Sequence, residues 1–80
     1  MDKAKALREA RVGVAVNEAV APLRSAWRHK KTRHKYVVQM HAIIEANLEP
    51  AVLYCRLGSN SMETWCRPAK EFFDGRFERI

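Results

Sequence analysis

The residues with the clearest chemistry are cations. Arg24, Arg28, Lys30, Lys31, Arg33 and Lys35 fall within twelve positions, 24–35, that contain no acid. The other 68 residues hold nine Lys/Arg and nine Asp/Glu, so the whole formal net charge of +6 is concentrated in this run. Such a cluster is the usual footprint of a surface that meets polyanions. Its other reading is a solvated connector that keeps the chain soluble. Trp27 lies inside the run and Tyr36 follows it, and cations interleaved with rings suit a single-stranded nucleic acid, where cations track phosphates and rings stack on bases. Against this, Trp27 also completes an apolar helix stripe, which favours a packed ring. The cations alone would give affinity without sequence readout, and an acidic protein surface would be attracted as well.

Other constellations are weaker. His29, His34, His41, Cys55 and Cys66 are metal-ligand types, but no Cys-x-x-Cys or His-x-x-x-His pair is present, and the spacings of helix-borne zinc sites are missing. No metal or other cofactor is expected. A hairpin turning at Gly58–Met62 would set Cys55 and Cys66 nearly opposite each other, where reduced thiols act as small core residues. Cys66 with His41 is the one nucleophile–base pair worth naming, and no spacing supports it. Gly13, Gly58 and Gly75 stand too far apart to form a phosphate loop. The expectation is a non-enzymatic binding module.

The elements that would position these residues can be read from periodicity. Residues 2–21 are alanine-rich and interrupted only by Gly13, which predicts a helix. Val12, Val16, Ala19, Val20 and Leu23 share one face, extended by Trp27, and this stripe is expected to dock on the domain's own sheet or on a second copy of the chain. Pro22 should end or kink the helix around Val20–Leu23. Residues 35–46 alternate with period two and predict a strand. Asn47–Pro50 is a turn, Ala51–Leu57 a second strand, Gly58–Ser61 a loop, and Glu63–Arg67 a third strand. Pro68–Phe73 fits one helical turn with proline at its first position, Asp74-Gly75 a turn, and Arg76–Ile80 a closing strand.

These elements predict a single α+β domain over residues 1–80. A helix leads into a small bent antiparallel sheet or SH3-like β-barrel, with one helical turn before the last strand. Closing such a sheet hides its edges. The alternative function is a protein-interaction module, a phage or bacterial regulator that docks on a larger protein. It would dock through Val16 and Val20 on the helix, which also offer a route to a homodimer, or through Trp65 with Arg67 on the third strand. Aromatic and arginine side chains dominate binding hot spots; the structural alternative makes Trp65 a core anchor and ties Arg67 to Glu71 or Glu78. No run of about 18 apolar residues exists, so no membrane span is expected. The mixed charges of the first ten residues are unlike a secretory signal, which points to the cytoplasm and to reduced cysteines.

Several short motifs, in order, carry a resemblance. They are Trp27-Arg28-His29-Lys30-Lys31, Tyr36-Val37-Val38, Glu49-Pro50 followed by Val52-Leu53-Tyr54, Trp65-Cys66-Arg67-Pro68 with Phe72 four residues beyond the proline, and the terminal Arg76-Phe77-Glu78-Arg79-Ile80. Residues 27–80 thereby resemble the bacterial and phage family of domains of unknown function numbered sixteen-fifty-three. The resemblance implies a compact, mostly β domain with no established activity. The chain departs from the family at Ile44-Glu45-Ala46-Asn47, where a His-Ser-Glu-Thr-like segment is usual, and residues 1–26 lie outside the resemblance as an added helix.

Overall fold

In the computed structural model, which describes residues 2–58 and 62–80, the helix α1 spans Lys3–Val20. Asp2 starts it from an extended conformation, its carboxylate accepting the Ala4 N–H at 3.0 Å. Pro22 lacks a donor to carry the helix on, and the last helical bond runs from the Ala21 N–H to the Asn17 carbonyl. His41 then closes this end, donating from Nε2 to the Ala21 carbonyl at 2.7 Å. That bond also fastens the helix to the sheet.

The face by which α1 docks is not the valine stripe. Ala10 is buried and Ala6, Gly13 and Asn17 beside it are half-buried, whereas Val12, Val16, Val20 and Leu23 are between 51% and 65% exposed. The reason is clearance. A Cβ built on Gly13 would stand 3.0 Å from the Pro50 ring, so the helix lies too close to accept a face of branched side chains. Trp27, expected to extend the stripe, belongs to the sheet instead.

Five strands follow: β1 Ala26–His29, β2 Lys35–Ile44, β3 Glu49–Arg56, β4 Trp65–Pro68 and β5 Phe77–Arg79, with the helical turn α2 (Ala69–Phe72) before the last. All neighbours are antiparallel, in the order β4-β3-β2-β1-β5. Strand β1 lies within residues 24–35, whose sequence reads as a charged run and predicts no strand. Alternation there is masked by long cationic side chains, and pairing with both β2 and β5 makes it a strand. The expected loop at Gly58–Ser61 falls largely outside the described residues.

The sheet is bent strongly. In a flat sheet β3 and β5 would lie roughly 14 Å apart and β4 and β5 roughly 19 Å. Yet the Tyr54 and Phe77 rings are 5.5 Å apart, and the Arg67 guanidinium sits 5.8 Å over Phe77. A register shift between Val38 and Met40 helps turn the long β2–β3 ribbon. Inside the bend, α2 delivers fully buried Phe72, which stacks on Phe77 at 4.6 Å and meets the edge of Trp27 at 5.2 Å. Val38, Val52, Tyr54, Ala21 and Ala69 complete the core. The buried Trp27 indole N–H donates to Ser25 Oγ at 2.9 Å, which satisfies both groups away from water.

Candidate nucleic-acid interface

Pairing of β1 with β2 gathers most of the basic run at one end of the sheet. Arg28 stands opposite Lys35 on one side and opposite Glu78 on the other, so the three form a row across the strands. The turn between β1 and β2 carries exposed Lys30, Lys31 and Arg33. It is held by the Arg33 N–H to the His29 carbonyl and the His29 N–H to the His34 carbonyl, and Arg33 takes φ +68° to close it. Arg24 does not join them. It sits in the link between α1 and β1, its N–H on the Val38 carbonyl, on the order of 13 Å along the strand direction from Arg28.

Two cations outside the basic run come to the same end through tertiary contact. Arg56 closes β3 opposite Tyr36, beside Lys35. Arg76 follows the Asp74-Gly75 turn and meets the β1–β2 turn through a backbone bond from the Lys30 N–H to the Arg76 carbonyl, 3.0 Å. Both lie far from residues 24–35 in sequence, and only strand order could have placed them. His29, Lys30, Lys31 and Arg76 line a cleft of about 300 Å³ between the two turns.

The carboxylates nearby leave the end positive. Glu78 pairs with Arg28 at 2.8 Å and lies 4.0 Å from Arg33. The Arg28 hydrogen bond, with the Arg28, Arg33 and Lys30 charges around it, holds the Glu78 carboxyl below its ordinary range. Asp74 is likewise lowered, first by its hydrogen bond from Arg76, whose Nη2 approaches to 2.7 Å. Among the described residues, Lys30, Lys31, Lys35 and Arg56 make no ion pair. Four cations at this end are therefore exposed with no carboxylate partner among the described residues.

The aromatic half of the expected arrangement is different. Trp27 is only 7% exposed, and Tyr36 is half-buried with its ring against Tyr54 and Phe77. Neither ring is free to stack on a base. His29, edge-on to Phe77 at 5.0 Å, is the one ring lining the cleft. The surface can grip phosphates but has little with which to read bases.

The other singled-out residues lie elsewhere. Trp65 on the edge strand β4 is half exposed and is not a core anchor. Arg67, on the same face, is spent internally: it donates to the Tyr54 hydroxyl at 3.1 Å and pairs with Glu71 at 3.4 Å. The Tyr54 bond is the chief reason its pKa lies above the ordinary value despite partial burial. Val16 and Val20 are on α1, facing solvent. Cys55 stands opposite Val37 and Cys66 opposite Leu53, so the cysteines are diagonal rather than opposite, and both are free thiols. Among the described residues no three His, Cys, Asp or Glu side chains come together as a metal site, and no helix is long and apolar enough to cross a membrane.

Comparison of the chain with protein families, with curated proteins and with solved structures returns no match.

Proposed function

We propose that this protein is a non-enzymatic binding module that holds nucleic acid by its phosphates, using the cationic end of the sheet. The contacts are assigned to Lys30, Lys31, Arg33 and Lys35, joined by Arg56 and Arg76. Arg28 is tied to Glu78 and orients the row, and Arg24 stands apart as a peripheral contact. The observation carrying this reading is that four cations from three segments share one end of the sheet with no carboxylate partner among the described residues. With Trp27 and Tyr36 packed inside, the expected mode is backbone contact with weak sequence preference.

The test is an oligonucleotide titration across salt. If four to six phosphates are engaged, log affinity should fall with log salt at a slope of roughly −3 to −5, and reversing Lys30, Lys31 and Arg33 to Glu should abolish binding. A flat salt response overturns the proposal.

A second reading is favoured by the solvent-facing stripe Val12, Val16, Val20 and Leu23. Apolar side chains of this size, aligned and uncovered, suit contact with another protein or a second copy of the chain. Sedimentation of the wild type beside Val16→Asp distinguishes these uses: a concentration-dependent dimer lost in the variant supports the homodimer. The family resemblance of residues 27–80, also a proposal, is supported by where its motif residues fall. Trp27, Tyr54, Phe72 and Phe77 build the core, and Arg28 and Glu78 pair across β1 and β5. The strand order, with a helical turn before β5, supports the finer reading of the bent sheet as an SH3-like barrel.

A further inference from the structure

The geometry points to a terminal-phosphate pocket in the cleft between the β1–β2 turn and the α2–β5 turn, gripping the phosphorylated end of a nucleic-acid strand. This inference rests on the nucleic-acid reading above and narrows it to one group of the ligand.

The cleft is built rather than accidental. Its two walls are joined by the bond from the Lys30 N–H to the Arg76 carbonyl. Arg76 is held in place by Asp74, which accepts from its Nε with both oxygens at 3.0 Å and from its backbone N–H at 3.2 Å. A guanidinium fixed in this way loses little freedom on binding an anion. His29 is oriented as well. Its ring packs edge-on against Phe77, and its Nδ1 accepts the Thr32 N–H at 3.4 Å, which leaves Nε2 as the donor nitrogen. Lys30 and Lys31 supply mobile ammonium groups on the opposite wall.

Charge selects the kind of phosphate. Arg76 is flanked by two carboxylates, Asp74 at 2.7 Å and Glu71 at 3.9 Å, and Glu71 is shared with Arg67 at 3.4 Å. Lys30, Lys31, Arg76 and Arg67 set against Asp74 and Glu71 leave two positive charges around the cleft. An internal phosphodiester carries one negative charge, whereas a phosphomonoester carries close to two near neutral pH. The terminal group also offers three oxygens, enough for Arg76, a lysine and His29 together. A volume of about 300 Å³ admits it with part of its hydration.

The experiment compares short oligonucleotides of one sequence bearing a 5′-phosphate, a 3′-phosphate or hydroxyl ends, binding to the full chain at fixed moderate salt. One phosphorylated form should bind about tenfold tighter than the hydroxyl form, the equivalent of one additional charge-assisted hydrogen bond. That advantage should vanish in Arg76→Gln and in Lys31→Gln. Arg56→Gln, outside the cleft, should weaken all three oligonucleotides alike and keep the advantage. Should Arg76→Gln disturb the turn, Lys31→Gln carries the test. Equal binding of all three oligonucleotides overturns the pocket and leaves the broader function standing. An advantage that survives both cleft variants also overturns it. Absence of binding by any oligonucleotide removes both proposals together.

Discussion

Arg28 reaches Glu78 with two nitrogens, Nε and Nη2, each 2.8 Å from the same carboxylate oxygen, and so clamps β1 to β5. These residues are directly opposite in the register, and Arg33 lies 4.0 Å from that oxygen. Because the folded Glu78 pKa is depressed below its ordinary value of 4.5, its contribution to stability is present above that value. It is lost as pH falls through the lower folded value. Melting temperature followed from pH 7 down to pH 3 should drop less steeply in Glu78→Gln than in the wild type. The same variant removes the only carboxylate of the Glu78–Arg28–Lys35 row and should bind nucleic acid more tightly. A wild-type acid slope retained by Glu78→Gln would refute the clamp.

The hydrogen bond between Trp27 and Ser25 is buried at both ends. Ser25→Ala leaves an indole N–H without a partner in the core, which should cost about 1–3 kcal/mol. Urea denaturation measures it, with no change expected in the slope of the transition. Loss of less than about 0.5 kcal/mol would mean that water reaches the indole.

Ala10 and Val16 lie about 120° apart around α1, and the smaller residue is the buried one. Val16→Asp should stay folded and within about 0.5 kcal/mol of the wild type, since a surface position changes little. Ala10→Asp would bury a carboxylate against the sheet and should cost about 3 kcal/mol or more. Circular dichroism melts of the two variants decide the matter, and the reverse order of stabilities would mean that the valine stripe is the docked face.

Cys55 and Cys66 are offset by two residues in the β3–β4 register, with Cys66 exposed and Cys55 half-buried. Diagonal neighbours stand about 7 Å apart, beyond the roughly 4 Å between Cβ atoms that a disulfide requires. Adding reductant should therefore leave the melting temperature unchanged. A thiol reagent should label Cys66 before Cys55 in the native protein, read by mass spectrometry after digestion.

Much of this architecture was legible in the chain. Asp2 and Pro22 bracket α1, period-two alternation from Lys35 marks β2, and Pro68 and Gly75 punctuate α2 and β5. These are local signals, carried by backbone chemistry that acts within a few residues. The clustering of charge in residues 24–35 is likewise a property of sequence alone. Tertiary structure decided which face of α1 docks, because clearance against Pro50 outweighs the apolarity of Val12 and Val16. It also decided that Trp27 is core rather than a stacking ring, and that Arg56 and Arg76 join the cationic end while Arg24 stays outside it. Those outcomes depend on strand order and on the bend that brings β5 beside β1. Contacts between residues about 20 to 50 positions apart leave no periodic mark on the residues that make them.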